Sequence, residues 1–280
     1  QCDIDILGEP SILAEIELIQ ATTTLLGKLG FQKFTIRINN RKLLKAMAAY
    51  CGFAEVAYDN VFITLDKMDK IGMDGVGEEL LGAGYEKEAV EKCLSFFQTV
   101  GSDVEGIRYA KELLGDHLEE GTAEDLETIF SMVEDIKAAD FNMKFDPTLV
   151  RGMGYYTGPI FEIAMDEFGG SVGGGGRYDE MIGKFTGSDT CACGFSIGFE
   201  RIVMLLLERD FEVPSAAGKK AFLVDKKASP ERLREVLAPA AKERDAGYKV
   251  SINKKKKNKK FQKEQLMSEG YEELQECYAD

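Results

Sequence analysis

The chain has 280 residues, of which 44% are hydrophobic and 30% charged, a composition typical of a globular protein with a large core and more than one domain. It contains no run of about 18 uncharged apolar residues, which argues against a membrane-spanning helix. The net charge of −14 argues against a nucleic-acid partner, yet residues 219–263 hold 16 Lys and Arg against 5 Asp and Glu.

The beginning of the chain, QCDIDILG, alternates polar and apolar residues, which predicts a strand with Gln1, Asp3 and Asp5 on one face. Ser11 is a suitable N-cap, and the spaced apolar residues after it predict a helix that ends near Gly27. These first residues show neither an initiator Met nor the layout of a signal peptide. We therefore expect a cytoplasmic chain and do not expect its first residue to be a natural start.

A second alternating strand, FTIRINN, and a helix in RKLLKAMAAYCGF follow. Residues 54–141 are acidic, and their apolar positions recur three and four apart, which predicts a helical insertion. Beyond it, the sequence predicts a strand, a glycine-rich loop in GGSVGGGGRYD, a strand in ACGFSIG and an apolar helix.

Residues 211–220 have the composition of a linker. The sequence after this linker predicts a βαβ unit: a strand in AFLVD, a helix with Ser229 as N-cap and Pro230 in its first position, and a strand in YKVSI. A lysine run, KKKKNKK, and a short acidic stretch come last.

We expect no metal site. The six cysteines form no CxxC pair, Cys191 and Cys193 alternate in a strand-like segment, and His117, the one histidine, lies among acids near a helix end. Reduced thiols and a solvated histidine are the expected states.

Three arginines lie close to glycines within about fifty residues, in LVRGMGYYTG, GGGRYD and GFSIGFERI: Arg151, Arg177 and Arg201. Glycine lets a ligand approach the backbone closely, and guanidinium groups pair well with carboxylates and phosphates. The glycine tract does not match GxxxxGK[ST], so a P-loop is excluded. The arginines therefore predict a site for a ligand with several phosphates or a carboxylate.

These motifs resemble those of the histidyl-tRNA synthetases, a class II family. QCDIDILG is similar to the end of motif 2, LVRGMGYYTG and GGGRYD to the two histidine signatures, and GFSIGFERI to motif 3. The resemblance implies an α+β fold in which a class II antiparallel sheet of six to seven strands is flanked by helices. It also implies three domains: a catalytic core at 1–53 and 142–210, a helical insertion at 54–141, and a small α/β anticodon-binding-like domain at 218–280.

Carried over position by position, the resemblance implies a histidine site made by Gln1, Asp5, Arg151, Tyr156 and Tyr178. Gln1 falls where the family contacts the α-amino group, and Asp5 and Tyr156 fall where it contacts the two ring nitrogens. Arg151 is implied as the catalytic residue, which holds the histidine carboxylate and the α-phosphate of ATP. Tyr178 would line the same pocket.

The resemblance further implies that ATP, as its Mg²⁺ complex, is a substrate held by Arg201, Gly174, Gly175 and Gly198, with no tightly bound cofactor. The implied activity joins histidine to tRNA(His) through histidyl-adenylate, in a protein that is a homodimer at full length. Phosphates of the tRNA are expected at Lys254, Lys255, Lys256 and Lys257, although a mobile solvated loop is an equally good interpretation of that run.

The sequence departs from the family pattern in several places. Gly154 stands where the family usually has an aspartate that precedes the two tyrosines, and we expect Tyr155 to face the other side of its strand from Tyr156. Motif 1 and the motif 2 loop are absent before Gln1, which leaves open whether this chain is active by itself. Two alternatives stay open: a non-catalytic paralogue that serves as a regulatory subunit of ATP phosphoribosyltransferase, and a module that binds histidine or tRNA.

Overall fold

The computed structural model describes residues 2–151, 154–211 and 218–278, which form two compact units, Gln1–Arg209 and Asp210–Asp280. Within these described residues no helix is long and apolar enough to cross a bilayer. The six cysteines are free thiols.

A six-stranded sheet organises the first unit. Its strands are β1 (Cys2–Leu7), β2 (Phe34–Asn40), β3 (Phe141–Phe145), β4 (Pro159–Met165), β5 (Gly170–Arg177) and β6 (Ala192–Ile197). Their order is β1-β6-β5-β4-β2-β3, and every pairing is antiparallel except the parallel pair of β2 and β3. The predicted α+β class and strand number are therefore confirmed for the described residues, with one parallel pairing in an otherwise antiparallel sheet.

Nine helices accompany this sheet in the described residues: α1 (Leu13–Lys28), α2 (Arg41–Cys51), α3 (Tyr58–Leu65), α4 (Met68–Gly82), α5 (Lys87–Thr99), α6 (Val104–Leu114), α7 (Thr122–Asp135), α8 (Asp179–Thr186) and α9 (Phe199–Glu208). Local sequence sets several of their ends. The Asn40 side chain accepts a hydrogen bond from the Lys42 N–H at 2.9 Å and caps α2, whose other end is Gly52 with a φ of 95°.

Helices α3 to α7 come from the acidic segment that was predicted to be helical. Their buried side chains, such as Leu80, Phe96 and Leu126, belong to the same hydrophobic cluster as Ile36 of β2. The helices therefore share one apolar core with the sheet, and α6 and α7 pack directly on β3 and β2. The proposed domain limits at 53/54 and 141/142 stay a prediction.

The glycine tract forms the strand β5 inside the sheet, so the predicted glycine loop is wrong. A Cβ on Gly175 would lie 1.9 Å from the Gly194 carbonyl oxygen, and one on Gly174 would lie 2.6 Å from Cζ of Arg151. The backbone of β6 and the Arg151 side chain approach this strand so closely that only glycine fits. Packing of the whole sheet outweighs the low strand propensity of glycine.

In the part of the second unit that the structure describes, a three-stranded parallel sheet is accompanied by two helices. Its elements are β7 (Lys219–Val224), α10 (Pro230–Asp245), β8 (Lys249–Lys254), α11 (Lys259–Ser268) and β9 (Glu273–Cys277), and the strand order is β8-β7-β9. The Ser229 side chain accepts a hydrogen bond from the Arg232 N–H at 3.2 Å and caps α10, as predicted. The predicted βαβ unit is confirmed, whereas α11 and β9 were not predicted.

Candidate active site

Two adjoining cavities lie against β5 in the first unit. The larger, of about 460 Å³, is lined by Arg151, Ser171, Arg201 and their neighbours. The smaller, of about 240 Å³, is lined by Asp3, Asp5, Tyr178 and Met181 among others. Both cavities share four residues: Tyr155, Tyr156, Gly174 and Ser196. The shared wall makes this a site in two parts, with room for two ligand groups side by side.

Carboxylates and a phenol define the smaller cavity. The alternation of β1 places Asp3 and Asp5 on its wall, and the Tyr178 hydroxyl donates a hydrogen bond to Asp5 Oδ1. Asp5 lies opposite Gly194 of β6, where a Cβ would come within 2.0 Å of the same oxygen. Burial and the hydrogen bond to Asp5 raise the pKa of Tyr178 above its ordinary range. A protonated phenol thus orients a carboxylate whose second oxygen can accept from an N–H of a ligand.

The two adjacent tyrosines stand between the cavities. Their ring centroids are 4.3 Å apart, and both rings line both cavities. The prediction that Tyr155 faces away from Tyr156 is therefore wrong. Both residues precede β4 and lie outside any strand, where the alternation of side chains in a strand does not apply. Burial, followed by the interaction with Tyr155, raises the pKa of Tyr156 above its ordinary range.

Gly154 lies in the turn that also contains Tyr155. Its φ is 86°, in the left-handed region that glycine adopts without strain. Among the described residues, a Cβ there would meet no heavy atom within 4 Å, so there is open space at the position where the resemblance implies an aspartate.

Arg151 lies in the larger cavity with its side chain 30% exposed. Its Nη1 pairs with the Glu162 carboxylate and lies 3.2 Å from Ser171 Oγ. Gly174 provides the space that this guanidinium occupies beside β5. Arg151 therefore reaches the strand whose glycine lines both cavities.

Arg201 is the second cation of the larger cavity. It lies in the first turn of α9, and its Nη1 donates to the Ser171 carbonyl oxygen at 2.6 Å. Its guanidinium carbon lies 5.5 Å from the centre of the Phe168 ring. Arg151 and Arg201 thus converge on Ser171, and together they give the cavity two positive charges that can face an anion.

Arg177 does not take part in this arrangement, contrary to the prediction from sequence. Its Nε and Nη2 each lie 2.7 Å from a carboxylate oxygen of Glu15 in α1, and Nη2 also donates to the Ser11 carbonyl oxygen. The Arg177 side chain is 8% exposed and that of Glu15 is 0% exposed. The Arg177 guanidinium is therefore paired with a buried carboxylate, and this pairing stabilises the fold.

The glycines predicted to bind ATP divide between the two cavities. Gly174 lines both, Gly198 lines only the larger, and Gly175 lines only the smaller. Gly198 leaves room for Arg201, because a Cβ there would lie 3.0 Å from Arg201 Cδ. Gln1, predicted to contact the α-amino group, lies outside the described residues.

The lysine run of the second unit is partly buried. Lys255 is 5% exposed, and its ammonium pairs with Glu276 at 3.2 Å and lies 3.5 Å from the centre of the Tyr278 ring. The charge of Lys255 is therefore not presented to a phosphate. Lys254, Lys256 and Lys257 are exposed.

Sequence reasoning missed Glu162, the partner of Arg151. Its neighbours Phe161 and Ile163 on β4 are fully buried, and the Glu162 side chain is 12% exposed. A single acid in an otherwise apolar strand, IFEIAM, was the available signal, because a carboxylate in such a place needs a cation. His117 is exposed and lies outside both cavities.

Comparison with known proteins points to one family. The family model described as histidyl-tRNA synthetase matches residues 1–202. A histidine–tRNA ligase of Leifsonia xyli is 42% identical over 97% of this chain and 62% of the relative, and one of Korarchaeum cryptofilum is 32% identical over 94% and 60%. The chain thus spans about three fifths of the length of these relatives.

Solved structures show the same fold. A histidyl-tRNA synthetase from Nostoc sp. PCC 7120 is 26% identical, covers 95% of this chain and 64% of its own, and gives a TM-score of 0.68. A protein of Bacillus halodurans, described as an ATP phosphoribosyltransferase regulatory subunit/histidyl-tRNA synthetase, is 21% identical, covers 99% and 68%, and gives a TM-score of 0.65. At that identity the second likeness concerns the fold alone.

Proposed function

The chain belongs to the histidyl-tRNA synthetase family, and on that premise we propose that it activates histidine with ATP and transfers the histidyl group to tRNA(His). The observation that supports this most directly is the pair of adjoining cavities, with acids and tyrosines in the smaller and two arginines in the larger. Such a division suits an amino acid beside a nucleotide.

In the proposed reaction, a histidine carboxylate oxygen bonds to the α-phosphorus of ATP, while the bond from that phosphorus to the bridging oxygen of pyrophosphate breaks. Both reactants are negative, so a cation between them stabilises the charge that develops at phosphorus. Arg151 takes this role, and Arg201 holds the outer phosphates. Asp5 accepts from one ring N–H of histidine, and the Tyr156 hydroxyl hydrogen-bonds the other ring nitrogen. Mg²⁺ enters and leaves with the phosphates as part of the substrate.

Further parts of the proposal follow from the family. A cytoplasmic location and a homodimer are proposed, and sedimentation of the full product of the gene tests the homodimer. Lys254, Lys256 and Lys257 are the proposed contacts to tRNA phosphates in the second unit. Their substitution by alanine should lower the salt dependence of tRNA binding, by about one unit of slope for each phosphate that is no longer neutralised.

Histidine-dependent exchange of labelled pyrophosphate into ATP tests the activity, on the 280-residue chain and on the full product of its gene. Arg151→Ala should lower exchange by about a hundred- to a thousand-fold, the cost of removing one group that stabilises transition-state charge. The control is Arg108→Ala, a surface arginine of α6 that pairs with Glu105 and Glu127 and lines neither cavity.

Unchanged exchange in Arg151→Ala would refute the role of this arginine. Histidine binding without exchange in both forms of the protein would favour the second candidate function, a non-catalytic regulatory subunit of ATP phosphoribosyltransferase. Absence of both histidine binding and pyrophosphate exchange would refute the proposed function.

A further inference from the structure

A series of ion pairs connects Asp69 of α4 to Arg151. Glu162 uses one carboxylate oxygen, Oε2, for Arg151 and the other, Oε1, for Arg37 Nη1 at 3.1 Å. Arg37 Nε pairs with Asp146 Oδ2 at 2.7 Å, and the same Nη1 pairs with Asp69 Oδ2 at 2.9 Å. Arg37 therefore has its Nη1 shared between Glu162, beside the cavity, and Asp69, on α4.

Strand pairing fixes the Arg37–Glu162 pair within this series. Arg37 of β2 lies directly opposite Glu162 of β4 in the antiparallel pair, and both side chains are largely buried, at 17% and 12% exposed. Asp146 is 7% exposed and anchors Arg37 from a third direction. The outer end is different, because the Asp69 side chain is 67% exposed.

Glu162 presents an electrostatic difficulty for a site that binds anions. It orients Arg151, but its own negative charge repels a carboxylate or phosphate that approaches the same guanidinium. Arg37 offsets that charge from behind the carboxylate. With Arg37 in place, Glu162 can hold Arg151 without cancelling its attraction for an anion.

We propose that Arg37 acts through Glu162 as a positioning residue for Arg151. Asp69 on α4 weakens this action because it competes with Glu162 for Arg37 Nη1. The proposal rests on the proposed function, in which Arg151 binds the carboxylate of histidine. It gives the helical segment an electrostatic connection to the site, although Arg37 and Asp69 line neither cavity.

The backbone of α4 fits this connection. Asp69 lies in the first turn of α4, and Gly72, with a φ of 71° and a ψ of 176°, breaks the helical conformation directly after that turn. The turn that carries Asp69 is thus separated from the remainder of α4 by a non-helical residue. In this proposal, a shift of that turn would change how Arg37 Nη1 is divided between Asp69 and Glu162.

Binding of histidine and of histidinol, measured by titration calorimetry, tests the proposal. Histidinol has a CH₂OH group in place of the carboxylate, so it keeps the ring and the amine but offers no anion to Arg151. Arg37→Gln should weaken histidine by about ten-fold, which is about 1.4 kcal/mol, and leave histidinol within two-fold. Arg37→Lys, which keeps the charge, should recover part of the loss.

Asp69→Asn should act in the opposite direction. Without the competing carboxylate, Arg37 Nη1 is available to Glu162 alone, and histidine should bind about two-fold more tightly at low salt, where screening is weakest. Arg108→Gln, which removes a surface arginine with two carboxylate partners, should change neither ligand.

Each outcome decides a different question. Equal weakening of histidine and histidinol in Arg37→Gln, or weaker histidine binding in Asp69→Asn, would overturn the inference and leave the proposed function intact. Failure of the unaltered protein to bind either ligand would refute the proposed function and, with it, the inference. Thermal unfolding of Arg37→Gln, Arg37→Lys and Asp69→Asn shows whether each comparison concerns folded protein, and Arg37→Lys and Asp69→Asn keep the test possible if Arg37→Gln does not fold.

Discussion

Replacement of Arg177 by methionine provides the sharpest test of its structural role. The change removes a guanidinium that makes two 2.7 Å contacts to the Glu15 carboxylate and two more to backbone carbonyl oxygens, at 3.1 and 2.7 Å. Glu15 would remain as a carboxylate with 0% exposure and without its main partner. Breaking a buried pair in this way costs roughly 3 to 5 kcal/mol. For a unit of this size, each kcal/mol lowers the unfolding temperature by about 2 to 4 °C, so a decrease of roughly 6 to 20 °C is expected.

Circular dichroism during thermal and urea unfolding measures this loss. The double variant Arg177→Met/Glu15→Leu should recover most of it, because an apolar pair of similar volume leaves no buried charge. Arg108→Met is the matched control, since an exposed ion pair contributes less than about 1 kcal/mol. Unchanged stability in Arg177→Met, together with weaker ATP binding, would show that the arginine is a ligand residue and that the reasoning from burial is wrong.

Three further predictions concern stability. Gly175→Ala should destabilise the first unit by at least about 3 kcal/mol in urea unfolding, since its Cβ would lie 1.9 Å from the Gly194 oxygen. The control is Gly82→Ala, where a Cβ meets nothing within 4 Å among the described residues, and equal effects of the two changes would contradict the prediction. Although burial opposes ionisation, hydrogen bonds from Thr148 and the charge of Arg37 lower the pKa of Asp146 in the folded protein. The unfolded-state pKa of an aspartate is about 4, so the free energy of unfolding should fall as the pH drops from about 4 through the lower folded-state pKa. Asp146→Asn should show a shallower decline over that acidic range, and an identical profile would refute the assignment. Arg41→Met should raise the free energy of unfolding by about 1 kcal/mol, because Nε and Nη1 of this 3% exposed arginine have no hydrogen-bond acceptor among the described residues. A lower free energy of unfolding would mean that the stacking of Arg41 on Phe62, at 4.7 Å, matters more.

Elements with regular side-chain patterns could be predicted from the sequence. The strand at 34–40 agrees with β2, Phe34–Asn40, because Phe34, Ile36 and Ile38 alternate with more polar residues and are buried. The glycine tract gave no such pattern, since a strand without side chains has no periodicity. In the second unit, α11 was hidden because its lysines and glutamines leave only Gln262 and Leu266 buried.

The candidate site was partly predictable for a similar reason. Asp5, Arg151, Tyr156 and Tyr178 stand in recognisable motifs, and the structure places them around the two cavities. Partners distant in sequence could not be found in this way. Nothing near Arg177 indicates that Glu15, 162 residues earlier, takes its charge. The Arg37–Glu162 pair likewise depends on the register of β2 and β4, which no local pattern gives.

The glycines of β5 also limit how this protein can change during evolution. Gly173 lines the larger cavity, Gly175 the smaller and Gly174 both, so along this strand a bound molecule would meet main chain, which no substitution can reshape without a clash. Inherited variation in ligand preference is then confined to surrounding side chains such as Asp3, Tyr155 and Met181. A directed-evolution library aimed at altered substrates has most to gain at those positions and least to gain along the strand.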